Sequence, residues 1–202
     1  MVRQQVESRG IVDRRVMEAM RQVPRHLFAP GAPVEACYRD RPVPIGHGQT
    51  MSQPYMVALM LELLELRGYE RVLDVGCGSG YQAAILSMLA RQVFAIERVH
   101  PLLQRARRAL AEGGFAVQAV SGDGWQGWPE HAPFDRILVA AAASEVPRAL
   151  CAQLADNGVL VVPVGSGRVQ RLVVVRRRGT RLESEAGVAC RFVPLVADEE
   201  AR

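Results

Sequence analysis

The sequence VLDVGCGSG, at residues 72–80, constrains the fold more than any other part of the chain. Residues 71–74 are typical of a short buried strand, and residues 81–89 have the apolar spacing of a helix. Between them stand three alternating glycines: Gly76, Gly78 and Gly80. Because a strand, a glycine turn and a helix open a βαβ unit that binds nucleotide-like ligands, this stretch predicts an α/β fold. Asp74 ends the strand, at the edge of the sheet where such folds bind their ligands.

The length of the chain predicts one domain. It has 202 residues, 49% of them hydrophobic, which is enough to bury a core. We expect a helical and loop extension over residues 1–50 and an α/β core over residues 51–202. No apolar run approaches the roughly 18 residues of a membrane span, and residues 1–7 lack the apolar segment of a signal peptide. We therefore expect a monomer in the cytoplasm with no membrane partner.

Cysteines and charges exclude further classes of site. The four cysteines are widely spaced and form no C-x-x-C, so we expect free thiols and no metal site. The net charge is +4, and every basic residue is an arginine. The arginine run at residues 176–178 suits either a nucleic-acid surface or the solvated end of a hairpin. Because aromatic residues make up only 5% of the chain, too few for base stacking, we favour the hairpin and expect no nucleic-acid partner.

Hydrophobic periodicity predicts alternating strands and helices after residue 70. The predicted strands are residues 71–74, 92–97, 115–120, 134–141, 159–164, 170–176 and 188–195. The predicted helices are residues 4–23 with Asp13 as a cap, 55–64 with Ser52 as the N-cap, 81–89, 100–112 and 147–154. Residues 165–168 are too few for a crossover helix, so strands five and six should form an antiparallel hairpin. The sum is a mostly parallel sheet of seven strands.

Acidic residues stand at the ends of three predicted strands. Glu97 lies 21 positions after Gly76, which is the spacing of an acid that binds ribose hydroxyls. Asp123 follows strand three and can accept from an adenine amino group, while Asp74 can attract an ammonium or sulfonium. The glycine pattern is G-x-G-x-G, not the dinucleotide G-x-G-x-x-G. Together these residues predict an S-adenosylmethionine site more strongly than an NAD site.

Each acid also has a structural interpretation. Asp74 could cap the glycine turn, and Asp123 could form an Asx turn. Glu97 could pair with Arg98 or Arg105. The chain has no P-loop motif, which argues against nucleotide hydrolysis.

Several longer motifs resemble those of the protein-L-isoaspartate O-methyltransferases. They are PIGHGQTMSQPYMVALMLELL, VPRHLFAP, VLDVGCGSGYQAA, the tryptophan-containing residues 122–128, PFDRILVAAA and FVPL. The resemblance extends from about Gly10 to Leu195, and the Gln-Thr-x-Ser-Gln-Pro motif is its most specific part. It implies a doubly wound, Rossmann-like methyltransferase fold, an α/β fold in which the order of the last two strands is exchanged.

The resemblance also implies the residues of the site. Ser52 takes the role of the active-site serine. The implied cofactor-binding residues are Gln49, Thr50, Met51, Gln53, Asp74, Gly76, Gly78, Ser79, Gly80, Glu97, Arg98, Asp123 and Gly124. Two positions depart from the family pattern: Met51 stands where isoleucine is frequent, and His26 stands where an acid is common.

The implied function is methyl esterification of the free carboxylate of L-isoaspartyl residues in damaged proteins and peptides. The ester then collapses to a succinimide that can reopen as aspartate. Such a carboxylate, with a pKa of about 4, is already a nucleophile at neutral pH. We therefore expect no catalytic base and a structural role for His47. The alternatives are another methyl acceptor, or a non-catalytic relative that binds the cofactor or isoaspartyl peptide.

Overall fold

The computed structural model describes residues 1–167 and 169–197, so Arg168, in the predicted hairpin link, lies outside the described residues. The α-helices are α1 (Arg14–Gln22), α2 (Val34–Cys37), α3 (Pro54–Leu63), α4 (Tyr81–Leu89), α5 (His100–Glu112) and α6 (Arg148–Ala152). The strands are β1 (Val43–Gly46), β2 (Gln49–Met51), β3 (Arg71–Val75), β4 (Gln92–Glu97), β5 (Val117–Ser121), β6 (Phe134–Val139), β7 (Leu154–Ser166), β8 (Val169–Arg178) and β9 (Arg181–Cys190).

The main sheet has the order β5-β4-β3-β6-β7-β8-β9. The first five of these strands pair in parallel, and β8 and β9 pair antiparallel. The predicted mostly parallel, seven-stranded sheet is therefore confirmed. The hairpin after the fifth strand is confirmed too, because β8 pairs directly with β7 and leaves β9 at the edge. This is the exchanged order of the last two strands.

Helices cover both faces of the sheet, as in a doubly wound fold. On one face, buried side chains of α1, α3, α4 and α5 share a hydrophobic core with residues from β3, β4 and the amino terminus. On the other face, Leu150 and Cys151 of α6 pack with Phe94 and Phe134. Among the described residues, no helix has both the length and the hydropathy that a membrane span requires.

The predicted helix over residues 4–23 is broken in the middle. Short helical turns span Val2–Val6 and Glu7–Arg9, and α1 starts only at Arg14. The break lies at Gly10, whose φ of 92° is a left-handed conformation that ends a helix. Asp13 caps α1 as predicted, because its carboxylate accepts from the N–H groups of Arg15 and Val16.

The polar stretch before α3 belongs to a paired ribbon that the sequence did not predict. Strands β1 and β2 form an antiparallel ribbon with a two-residue turn at His47 and Gly48. Both turn residues have positive φ, 54° and 69°, as the tight hairpin turns that match strand twist require. The ribbon is fastened to α5, because Arg105 Nη2 donates to the carbonyl of Ile45 over 2.5 Å.

The predicted last strand, residues 188–195, is wrong in its position. Strand β9 ends at Cys190, and the chain then crosses the carboxyl ends of the parallel strands. Ala142 donates to the carbonyl of Val193 over 2.8 Å and accepts from Leu195 N–H over 2.7 Å. Pro194 lacks an N–H and cannot continue a ladder. Residues 191–197, here named the carboxyl-terminal strap, therefore cover the edge of the sheet where ligands bind.

Candidate functional site

The glycine turn is held by the end of the neighbouring strand β4. Gly76 and Cys77 donate to the carbonyl of Ile96 over 2.8 and 3.1 Å, and Gly78 N–H donates to Glu97 Oε2 over 2.8 Å. The three glycines have φ values of 76°, 54° and 86°, which other residues rarely adopt. The turn is thus fixed in place without using the Asp74 side chain.

Asp74 is the most unusual residue of the site. Its side chain is 0% exposed, and neither carboxylate oxygen has a hydrogen-bond partner within the described residues. Burial, with a smaller contribution from the charge of Glu97, raises the pKa of Asp74 to about 7. The alternative in which Asp74 caps the glycine turn is therefore wrong. A buried carboxylate that no protein group satisfies is instead suited to a cationic ligand.

Glu97 lies next to Asp74 and is 6% exposed. Its Oε1 accepts from Val99 N–H over 2.8 Å, and its Oε2 accepts from Gly78. The alternative of a pair with Arg105 is wrong, since that guanidinium donates to Ile45. Each oxygen retains a second lone pair with which a ribose hydroxyl could bond.

Asp123 forms the Asx turn that was its structural alternative. Its Oδ1 accepts from Trp125 N–H over 2.9 Å. The Trp125 ring N–H donates to the carbonyl of Leu195 over 3.0 Å, so this turn also holds the strap. Arg98, on the neighbouring strand end, donates to the carbonyl of Val196 over 3.2 Å. The strap is therefore tied to the ends of β4 and β5, where the predicted adenosine-binding residues lie.

Gly124 supports this arrangement through packing. A Cβ at this position would lie 2.6 Å from Val75 Cγ1 and 2.9 Å from Leu195 Cδ1. We predict that Gly124→Ala lowers the free energy of unfolding by about 1–3 kcal/mol, the usual cost of overpacking. Gly122→Ala is the matched control, because its nearest contact would be Ile96 Cγ2 at 3.5 Å. Urea denaturation of both variants checks this, and equal stabilities would contradict it.

A cavity of about 1770 Å³ lies beside the glycine turn. One wall is formed by Thr50 of β2 and by Ser52 and Gln53 after it, and the other by the strap and the segment after β6. The sequence predicted Ser52 as the N-cap of α3, and this prediction is wrong. Gln53 occupies that position and makes no side-chain capping bond. The Ser52 hydroxyl has no hydrogen-bond partner within the described residues, and the residue lines the cavity, so this hydroxyl is available to a ligand.

Strand alternation explains which residues of the QTMSQP motif reach the cavity. Thr50 and Ser52 line it, whereas Met51 is 4% exposed and packs in the hydrophobic core. The Met51 side chain therefore does not face the ligand side, and the exchange of isoleucine for methionine is a core substitution. Gln49 lies off the cavity, with its amide donating to the His47 carbonyl over 3.4 Å.

The two histidines near this region are outside the cavity wall. His47 is exposed in the ribbon turn. His26 Nδ1 lies 2.8 Å from the Tyr38 hydroxyl, which is hydrogen-bond distance. The histidine that replaces the acid common in the family is thus held by a hydrogen bond to Tyr38. Neither histidine lies among the cavity-lining residues of the described chain.

The cavity and the glycine turn share a wall at the end of β6. Ala140, which lines the cavity, donates to the carbonyl of Val75 over 2.8 Å, directly before the turn. The predicted cofactor-binding acids, Asp74, Glu97 and Asp123, are not among the residues that line the cavity. Glu97 bonds the glycine turn instead, and Asp123 bonds the turn that holds the strap. The site thus has a cationic-ligand side at Asp74 and a second side at Ser52, with Ala140 between them.

The sheet order, the glycine turn and the unpaired Asp74 carboxylate define a class of protein: the S-adenosylmethionine-dependent methyltransferases. The fit rests on Asp74, whose carboxylate has no hydrogen-bond partner within the described residues, and on the adjacent turn of three glycines with positive φ.

Comparisons with known proteins specify the family. The model of the protein-L-isoaspartate(D-aspartate) O-methyltransferase family matches residues 1–200. Curated relatives of that name include one from Trichlorobacter lovleyi, 50% identical over 98% of this chain and 93% of its own length. Another, from Geobacter metallireducens, is 52% identical over 97% of this chain and 92% of its own. The chain belongs to the protein-L-isoaspartate(D-aspartate) O-methyltransferase family.

Two solved protein-L-isoaspartate O-methyltransferase structures are similar to this chain. A structure described as a protein-L-isoaspartate O-methyltransferase from Plasmodium falciparum, in complex with S-adenosyl-L-homocysteine, superposes with a TM-score of 0.83 at 28% identity. The comparison covers 95% of each chain. A second protein-L-isoaspartate O-methyltransferase structure gives a TM-score of 0.84 at 29% identity, over 93% of this chain and 62% of that one.

Several residues of the site were not found by sequence reasoning. Trp125 and Gln170 bind the strap from either side, and Gln170 does so with both atoms of its buried amide, which bond the N–H and carbonyl of Phe192. Only the FVPL sequence indicated that residues 192–195 matter. Arg25, which bonds the Ser52 carbonyl, gave no signal beyond its place in the VPRHLFAP motif.

Proposed function

We propose that the chain methylates the free carboxylate of L-isoaspartyl residues in damaged proteins and peptides, with Ser52 as the residue that orients this carboxylate. The observation that carries the proposal is a pair of groups on the two sides of the contact between Ala140 and Val75. Within the described residues, Asp74 is a buried acid without a hydrogen-bond partner, and Ser52 is a half-buried residue of the cavity wall whose hydroxyl bonds no other residue. The match to the family over residues 1–200 supports the same reaction.

On the donor side, the acids would hold S-adenosylmethionine by the groups that each can recognise. When bound, S-adenosylmethionine supplies a methyl group activated by its sulfonium. Asp74 would attract the ammonium, Glu97 would accept from the ribose hydroxyls, and Asp123 would accept from the adenine amino group. The remaining members of the assigned site divide between the two sides. Gly76, Gly78, Ser79 and Gly80 of the glycine turn belong to the donor side, with Arg98 and Gly124 at the neighbouring strand ends. Thr50 and Gln53 line the cavity on the acceptor side, and Gln49 lies next to Thr50 in β2. We assign Met51 a packing role.

On the acceptor side, the chain has to position a nucleophile that needs no base. A carboxylate with a pKa of about 4 is ionised at neutral pH. A neutral hydroxyl such as Ser52 can orient it by donating one hydrogen bond, whereas a cation would neutralise its charge and weaken the nucleophile. Positioning of two reactants alone can contribute about 7–11 kcal/mol. The strap and the ribbon would exclude water from the shared wall at Ala140.

The dimensions of the cavity suit a peptide segment. Its volume of about 1770 Å³ exceeds that of pockets for small ligands, which are roughly 300–1,000 Å³. We propose that the chain acts as a cytoplasmic monomer on isoaspartyl-containing proteins and peptides.

A matched pair of peptides tests the proposal. We expect S-adenosylmethionine-dependent methyl ester on an isoaspartyl peptide and none on the aspartyl peptide of the same sequence, because only the isoaspartyl linkage presents the free α-carboxylate. Base-labile release of radiolabelled methanol measures the ester. Equal labelling of the two peptides would refute the acceptor assignment. Binding of S-adenosylhomocysteine without any ester would indicate another acceptor or a binding protein without catalysis.

A further inference from the structure

Arg25 is a buried cation with no acidic partner in the part of the chain that the structure describes. Its side chain is 0% exposed. Nε donates to the carbonyl of Cys37 over 2.7 Å, and Nη2 donates to the carbonyl of Ser52. Nη1 has no hydrogen-bond partner, and no carboxylate pairs with this guanidinium within residues 1–167 and 169–197. Burial lowers the pKa of Arg25 from its ordinary value.

The same guanidinium also reaches the glycine turn. Its Cζ lies 4.9 Å from the centre of the Tyr81 ring, within the range of a cation–π contact. Tyr81 is the first residue of α4, directly after Gly80. Arg25 therefore contacts both halves of the site: the backbone of the residue that carries the acceptor-side hydroxyl, and the helix that follows the donor-side turn.

This arrangement is costly for the fold. The effective penalty for burying an ion is several kcal/mol, and hydrophobic residues of similar volume often replace buried ions without loss of stability. Two carbonyl bonds and one ring contact recover only part of that penalty. A role in stability alone thus accounts poorly for an arginine at this position.

We propose that Arg25 is a positioning residue that fixes the Ser52 hydroxyl relative to the glycine turn. The inference rests on the proposed function, because it assigns Arg25 an effect on the reaction of Ser52. Arg25 acts through the Ser52 backbone and the Tyr81 ring, and it touches neither reactant.

The chain contains a matched control at the other end of α3. Arg136 is 8% exposed, and like Arg25 it donates to backbone carbonyls, those of Leu64 over 2.5 Å and Glu65 over 3.4 Å. Helix α3 is therefore fastened by a buried arginine near each end. Only the end held by Arg25 carries Ser52.

The test compares Arg25→Lys with Arg136→Lys. Both substitutions retain the charge and lose the planar set of donors, so both should lower the melting temperature. We expect only Arg25→Lys to lower kcat on an isoaspartyl peptide, by about 10- to 100-fold, as misplacement of a reactive group does. The Kd for S-adenosylhomocysteine, measured by titration calorimetry, should stay within roughly threefold of wild type in both variants.

A double variant separates positioning from stability. If Arg25 acts through Ser52, then Arg25→Lys should cost no further kcat in a Ser52→Ala background, because contacting residues are non-additive. Should Arg25→Lys melt below the assay temperature, Arg25→Gln, which retains N–H donors, replaces it. Equal kcat losses in the Arg25 and Arg136 variants, or additive losses in the double variant, would overturn the positioning role. A wild-type chain that ignores isoaspartyl peptide would refute the proposed function itself, and the positioning role with it.

Discussion

Replacement of Ser52 by alanine is expected to lower kcat on an isoaspartyl peptide by roughly 10- to 100-fold, since a hydrogen bond to a charged group contributes about 1.5–3 kcal/mol. The cavity and the donor-side acids are separate groups that meet at Ala140, so the loss should be confined to the acceptor side. The Kd for S-adenosylhomocysteine should therefore remain within about threefold of wild type. Steady-state kinetics and titration calorimetry on one preparation measure both values.

The stability of the Ser52→Ala variant distinguishes a role in the reaction from the N-cap role that the sequence predicted. Loss of an N-cap side chain costs about 1 kcal/mol. Since Gln53 is the N-cap of α3, Ser52→Ala should change the free energy of unfolding by less than about 0.5 kcal/mol. The comparison variant is Ser52→Thr, which retains the hydroxyl and should retain most of the activity. Loss of stability and cofactor affinity in parallel with kcat would mean that Ser52 serves the fold alone.

The parallel part of the sheet could be predicted from sequence because its information is local. Strand β4 and helix α5 have the predicted bounds, residues 92–97 and 100–112. Each is a strongly patterned segment, and α5 is followed by a glycine pair at residues 113–114. The hairpin of β7 and β8 followed from loop length alone, because residues 165–168 cannot contain a helix.

The regions that sequence reasoning placed wrongly are stabilised by contacts distant in sequence. The strap leaves the sheet edge because Ala142, Trp125 and Gln170 bind its backbone, and these residues precede it by 20 residues or more. The ribbon before α3 depends likewise on Arg105. Propensity carries no information on such bonds, so the sequence predicted a strand over residues 188–195 and did not predict the pairing of β1 with β2.

The acids show the same limit at the level of the site. Their positions at strand ends could be predicted, but their roles could not be separated. Glu97 and Asp123 both bond backbone N–H groups of neighbouring turns. Asp74 has no such bond, and only its burial in the folded chain makes this visible. Asp74 is consequently the acid whose replacement should most clearly separate binding from stability.

Replacement of Asp74 by asparagine is expected to weaken S-adenosylhomocysteine binding and to stabilise the ligand-free chain. Loss of a charged partner for the ammonium should raise Kd by roughly 10- to 100-fold. The amide has no charge to desolvate, so the free energy of unfolding should rise at pH 8 by up to about 4 kcal/mol, at 1.36 kcal/mol for each unit by which the Asp74 pKa is raised. Glu70→Gln is the control, because this equally buried acid bonds Arg67 and Gly68 N–H over 2.8 Å each. That change should destabilise.

The pH dependence of the stability provides a second test of the role of Asp74. The pKa of Asp74 is raised to about 7 in the folded chain, from an ordinary value of 3.8. Between these pH values the folded state binds more protons than the unfolded state, so this group's contribution to stability falls as pH rises from about 4 to 7. Asp74→Asn should remove that fall in urea titrations across the interval.

Ligand binding should change in the opposite direction. An ammonium prefers the ionised carboxylate, so S-adenosylhomocysteine should bind wild type more tightly as pH rises through 7, with proton release visible in buffers of different ionisation enthalpy. A wild-type Kd independent of pH between 5.5 and 8, or a destabilised Asp74→Asn, would contradict the assignment of Asp74 to the cationic end of the ligand. The fall in stability and the gain in ligand affinity with rising pH together describe one carboxylate. Its charge is balanced by the bound ligand and not by the folded chain.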